Sequence, residues 1–114
     1  MTISIQIDPI VKFTVKGSIK DSKGVDQPFN FGLTCRRLSE EDISERMAGF
    51  SGSITEFATE LMGDVINDWS DVLGDGQQTV PYTLSAWQQL CRIPGLPVVA
   101  LTAYRQEAGA KAKN

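Results

Sequence analysis

Histidine is absent from this 114-residue chain. That removes the Ser-His-Asp and Cys-His arrangements of nucleophilic catalysis, and every metal site built on imidazole. Basic runs are lacking as well. The formal net charge is -3, and the densest cationic spot is the pair Arg36–Arg37. Neutralising phosphates supplies most nucleic-acid affinity, so no nucleic-acid partner is expected. No apolar stretch approaches the roughly 20 residues that span a bilayer, so no membrane partner is expected. The opening Met1–Pro9 has neither a basic n-region nor a long apolar run, so it does not read as a signal peptide. A soluble, cytoplasmic protein is the expectation.

Cysteine is scarce. Cys35 and Cys91 lie in different predicted elements among apolar neighbours, where a thiol behaves as a small hydrophobe. Two buried thiols are expected, with a disulfide between them left open. Phosphate-cradling glycine loops are missing in both common forms. Gly49-Phe50-Ser51-Gly52-Ser53 invites comparison with the hydrolase elbow, but its second glycine comes one position early and no base exists. It reads as a helix–helix turn. Asp64, Asp68, Asp71 and Asp75 lack the alternating spacing that wraps a calcium ion. Asp64, Asp68 and Asp71 read as a solvated helix face opposite the apolar one. No catalytic residue, metal or cofactor is expected, and the chain is not expected to be an enzyme.

Two-fifths of the chain is apolar and less than a quarter charged, which is ordinary globular composition for one domain. Val11, Phe13 and Val15 alternate with Lys12, Thr14 and Lys16. Phe29, Phe31, Leu33 and Cys35 alternate with Asn30, Gly32, Thr34 and Arg36. Between them runs the polar loop Lys20–Gln27 with Gly24. Two period-2 runs around such a loop predict an antiparallel hairpin with one apolar face. A bare hairpin is marginal and needs a cover. Ile3, Ile5 and Ile7 also alternate, before Asp8-Pro9 breaks the run. They predict either a third strand on the protein's own hairpin or an extended arm that adds a strand to a neighbouring subunit.

Helices supply the cover. Ser39 followed by three acids predicts one helix, ended by Gly49 and Gly52. A second starts near Ser53 or Thr55 and runs to about Trp69, because Ile54, Phe57, Leu61, Val65 and Trp69 are spaced for one face. Thr83 or Ser85 caps a third, with Leu84, Trp87, Leu90 and Cys91. Pro97 opens a fourth, to about Ala108. The prediction is α+β: a hairpin, with a third N-terminal strand left open, packed on about four short helices. One domain covers residues 1–108, with 1–9 as a possible arm and 109–114 as a flexible tail.

With no chemistry in view, surface recognition remains. Trp69, Tyr82, Trp87 and Tyr104 fall in the second half, where aromatics anchor cores and interfaces alike. Trp69 and Trp87 favour the core by their helical spacing, whereas Tyr82 beside Pro81 is balanced between core and surface. Ile3, Ile5, Ile7, Trp69, Val72 and Tyr82 are the candidate partner-binding residues.

The order of features resembles the tail assembly chaperones of long-tailed bacteriophages and prophages. The resemblance rests on Phe13–Gly17, Asp21–Gly24 and Phe29–Phe31, then Arg37-Leu38-Ser39. Asp68-Trp69 with Val72, a glycine turn and Val80-Pro81-Tyr82-Thr83 follow. The helix of Leu90, the stop Ile93-Pro94-Gly95 and the closing Tyr104–Glu107 complete it. It spans residues 10–107. The resemblance implies stoichiometric, non-catalytic binding of the tape-measure protein and recruitment of tail-tube subunits in the bacterial cytoplasm. It also implies absence from the mature virion, and in many phages a frameshifted longer product. A homo-oligomer is open. The alternative is a structural phage protein, such as a tail-completion or head–tail connector subunit.

Overall fold

A computed structural model describes residues 2–112 of the chain. Strands β1 (Ile10–Lys20) and β2 (Asp26–Arg36) pair antiparallel without a slip, from Ile10 opposite Arg36 to Lys20 opposite Asp26. Asp21 organises the turn between them. Its carboxylate accepts hydrogen bonds from the Lys23 and Val25 amides at 2.8 and 3.0 Å and from the Gln27 side chain at 2.9 Å. These bonds favour the anion and hold the Asp21 carboxyl below its ordinary value. As the alternation requires, Val11, Phe13, Val15, Phe31, Leu33 and Cys35 are buried on one face. Lys12, Thr14, Lys16 and Asn30 on the other are exposed.

Helix α1 (Glu40–Gly49) is capped by Ser39, whose hydroxyl accepts from the Asp42 amide, and it buries only Ile43. Helix α2 (Ile54–Val65) opens with a reciprocal cap between Ser53 and Glu56. Phe57, Ala58, Leu61, Met62 and Val65 are its buried face. Ile54 was expected to belong to that face, but it occupies the first position of the helix and is exposed.

The larger correction follows Val65. The helix expected to reach Trp69 stops there, and Ile66–Ser70 is a third strand, β3, with no loop between. It pairs antiparallel with β2: Leu33 faces Trp69, Thr34 faces Asp68, and a bulge precedes the Cys35–Ile66 pair. Ile66 and Trp69 are the buried residues of β3, three apart across the bulge, and that spacing also fits one face of a helix, so periodicity could not reveal the strand. Asn67 and Asp68 are poor helix formers, Ile66 is β-branched, and the unpaired edge of β2 accepts the strand. Asp68 and Asp71 are therefore not on a helix with Asp64. The sheet order is β1-β2-β3, and the third strand comes from residues 66–70 rather than from the N-terminal arm.

After a 3-10 turn at Asp75–Gln77, helix α3 (Leu84–Leu90) is capped by Thr83 rather than Ser85. Helix α4 (Leu96–Ala108) carries Pro97 in its first turn. Gly95 precedes it at φ 83, a left-handed conformation that glycine adopts without a Cβ penalty. The helical layer covers one face of the sheet, with α4 over β1 and α2 against both α4 and α3. Residues 109–112 are exposed without regular structure, and residues 113 and 114 of the expected tail lie outside the described residues. No described helix is long and apolar enough to cross a membrane.

Three aromatics tie the layers together through their polar atoms. The buried Tyr104 hydroxyl donates to the Arg36 carbonyl at 2.7 Å and accepts from the Leu38 amide at 2.9 Å. The Trp87 indole donates to the Thr59 carbonyl at 3.0 Å, fastening α3 to α2. The Trp69 indole donates to the Val80 carbonyl at 2.7 Å. Both cysteines are free; Cys35 is buried in β2 and Cys91 half-buried at the end of α3. Burial pushes the Cys35 thiol up to about 12 and the Cys91 thiol up to about 11, so both stay protonated.

Candidate interaction surface

Exposed apolar side chains concentrate at the two ends of the sheet. At the end where β1 begins, residues 2–8 belong to no strand or helix, and they bend at Ile5, where the Gln6 amide donates to the Ser4 hydroxyl at 3.1 Å. Ile3 is 93 % exposed, Ile5 102 % and Ile7 61 %. Pro9 marks where the arm meets the sheet, its carbonyl accepting from the Arg37 amide at 2.7 Å. The Ile10 amide is turned away and donates to the Asp8 carboxylate at 2.9 Å. Ile7 lines a cavity of about 450 Å3 with Leu38, Ile43 and Ala108 and the charged Arg37, Glu40 and Arg105, while Ile3 and Ile5 line none.

At the opposite end lies an apolar trough of about 150 Å3. The hairpin contributes Ile19, Phe29 and Phe31, the turn after β3 contributes Val72 and Leu73, and the α3–α4 junction contributes Leu90, Ile93 and Leu96. Its floor depends on a glycine. A Cβ on Gly17 would stand 2.5 Å from the Phe29 ring, so only glycine lets that ring lie flat across β1. Leu73 is 57 % exposed at the rim. The only polar side chains on its wall are Asn30 and Asp71. The trough and the arm lie seven residue steps apart along β2, roughly 24 Å.

The candidate residues thus divide. Ile3, Ile5 and Ile7 are together on the arm. Val72 is at the trough, and its carbonyl accepts from the Val80 amide at 2.9 Å. Trp69 is buried behind that turn, edge-on to Tyr82 with centroids 5.1 Å apart. Its ring has almost no surface to offer a partner and instead holds the 71–82 segment to the sheet. Tyr82 is half-buried, and its hydroxyl is buried without a hydrogen-bond partner. That desolvation pushes the phenol above its ordinary value, and the nearby Cys35 and Cys91 add to the shift.

Sequence reasoning missed the trough. Phe29 and Leu90 were read as core residues, and Ile19 and Leu73 received no role. One signal was available: Val72-Leu73 is an apolar pair inside an otherwise polar, turn-rich segment, where solvent exposure needs a reason.

Charged residues also stand at both ends: Arg37, Glu40 and Arg105 line the cavity beside Ile7, and Lys20 pairs with Asp26 at the hairpin tip. Asp64, at the end of α2, meets Arg36 at 3.1 Å and Arg46 on α1. The Arg46 hydrogen bond first, and Arg36 second, hold its carboxyl below the ordinary value against partial desolvation. Among the described residues no group of three or more His, Cys, Asp or Glu could hold a metal ion. The α+β domain thus presents an exposed isoleucine arm at one end and an apolar trough at the other. No protein-family model matches the chain, and no curated protein or solved structure matches it.

Proposed function

We propose that this chain is a phage tail assembly chaperone, acting by stoichiometric, non-catalytic binding. The trough formed by Phe29, Leu73, Leu90 and Ile93 is the observation that carries the reading. An open apolar trough on a chain of net charge -3 suits a protein that covers apolar stretches of a client while staying in solution. The client in this reading is the tape-measure protein, whose helices present apolar faces before the tube encloses them. The groove-and-helix mode uses apolar anchors at helical spacing against a hydrophobic wall. Tail-tube subunits are recruited to the same complex. The protein acts in the bacterial cytoplasm and is missing from finished virions.

The test is co-expression with the tape-measure protein of the same phage. Wild-type chain keeps the client soluble and co-elutes with it. Leu73→Asp, at an exposed rim position, abolishes co-elution while leaving the chain folded. An insoluble client beside abundant wild-type chain sinks the proposal.

A structural subunit of the particle, such as a tail-completion or connector protein, is favoured by one feature, the uncovered arm of Ile3, Ile5 and Ile7. Arms of that kind knit neighbouring subunits together. Detection of the chain in purified virions by mass spectrometry would select this reading over the chaperone.

A further inference from the structure

The isoleucines of the arm and the buried residues of β1 form one pattern. Ile3, Ile5, Ile7, Val11, Phe13 and Val15 all occupy odd positions, interrupted only at Pro9. Within the sheet the odd positions are the covered face. The arm therefore repeats the alternation of a strand whose neighbour is missing.

The edge of β1 away from β2 is free over Lys12–Ser18, since the sheet order places β1 outermost. Backbone N–H and C=O of one residue point to the same side of an antiparallel strand. Pro9 accepts from Arg37, and pairing runs unslipped from there, so the odd residues bond to β2. The even residues Lys12, Thr14 and Lys16 then direct their backbone groups outward. The Ile10 amide obeys this parity, bonding to Asp8 and not to β2.

The arm cannot fill this edge on its own chain. Pro9 and Ile10 are both held in the β1–β2 ladder, so reversal would have to occur at Asp8 alone. A two-residue turn at Asp8-Pro9 would also place the isoleucines on the lysine face, because it pairs Ile7 with Ile10. A second molecule has neither obstacle.

We propose that two copies of this chain pair by reciprocal strand addition, residues 2–8 of each lying antiparallel along the free edge of β1 of the other. The register sets Ile7, Ile5 and Ile3 opposite Val11, Phe13 and Val15. It directs the backbone of Gln6, Ser4 and Thr2 toward that of Lys12, Thr14 and Lys16. Both the face and the hydrogen-bond parity are satisfied at once, which no odd shift achieves. The isoleucines enter the layer that α4 covers. Charge selects the same partner. Thr2–Asp8 has no cation and one acid, whereas Lys12, Lys16 and Lys20 would repel a second β1 edge laid directly against the first. The interface is two-fold and self-complementary.

Sedimentation of the full chain across a concentration series reads the association, with a dimer expected. Replacing Ile3, Ile5 and Ile7 together by Ser weakens dimerisation by about a hundredfold or more, from the apolar surface no longer buried. Ile3 and Ile5 are uncovered in the monomer and Ile7 is mostly exposed, so the variant keeps its circular dichroism and loses little melting temperature. A Ser4→Cys, Thr14→Cys variant forms an interchain disulfide on oxidation, because directly opposed hydrogen-bonded residues stand about 5.5 Å apart between Cα atoms. The wild-type chain, with Cys35 and Cys91, is the control. A monomeric wild-type chain at all concentrations overturns the proposal. So does a dimer that survives the triple Ser substitution, or one that fails to crosslink through residues 4 and 14.

Discussion

The two ends of the sheet use a tyrosine in opposite ways. At the end where β2 finishes, one tyrosine satisfies two backbone groups: Tyr104 joins Arg36 and Leu38, locking α4 to the point where the sheet hands over to α1. Where the 71–82 segment crosses toward the trough, another tyrosine satisfies none: the Tyr82 hydroxyl is buried and unpaired. A phenol that bridges two elements is a structural fastener. A phenol buried without a partner adds ring packing at a desolvation cost. Neither end is fully satisfied, since Arg37 Nε, between the two residues that Tyr104 joins, is buried without a partner as well; the contrast lies in the two phenols.

Removing the fastener should have the largest effect. Tyr104→Phe leaves the Leu38 amide and the Arg36 carbonyl without their partner and should lower stability by about 2 kcal/mol. Urea denaturation with an unchanged m-value checks it. Trp69→Phe keeps an aromatic ring against Tyr82 but frees the Val80 carbonyl, and should cost about 1 to 2 kcal/mol by the same measurement. Tyr82→Phe should have the opposite sign, raising stability by about 0.5 kcal/mol, because it deletes a buried hydroxyl with no bond to lose. A loss above 1 kcal/mol would mean that Tyr82 is as much a fastener as Tyr104, and the contrast between the ends would fail.

The smallest effect is electrostatic. Asp64 has a folded-state value below its unfolded one, so its pairing contributes above the ordinary carboxyl value near 3.8. The contribution is lost as pH falls through the lower folded value. Asp64→Asn should cost a few tenths of a kcal/mol at pH 7, since the carboxylate is 46 % exposed and screened by solvent. The difference from wild type should vanish in acid. Guanidinium titrations would mask this by screening, so urea is the suitable denaturant.

Among the candidate residues, legibility followed the range of the interactions. Ile3, Ile5 and Ile7 were legible as an alternating run, but the choice between a third strand and an arm was not, because it depends on which segment reaches the sheet edge. Val72 was named, and it does line the apolar trough. The trough itself was illegible: Ile19, Phe29, Leu73 and Ile93 meet there only because the hairpin tip, the turn after β3 and the start of α4 converge. Trp69 shows the same limit from the other side. Its apolar character was plain, but its burial behind the 71–82 segment follows from pairing with Leu33, more than thirty positions earlier in the chain.

By itself the sequence determined everything set within a few residues. Alternation at Val11–Val15 and Phe29–Cys35 defined the hairpin and its buried face. Ser39, Ser53 and Thr83 started three helices because a hydroxyl satisfies amides two or three residues ahead. Gly95 and Pro97 placed the start of the last. Only the tertiary structure decided the fate of Ile66–Ser70, where the Ile66–Trp69 spacing reads as helical and only pairing with the edge of β2, through a bulge, makes a strand. It also decided that the arm stays off its own sheet, because Pro9 remains bonded to Arg37 and leaves the chain no room to turn. The physical reason is common to both: a hydrogen-bonding edge is satisfied by whichever segment the rest of the fold can bring to it, and no local pattern encodes that reach.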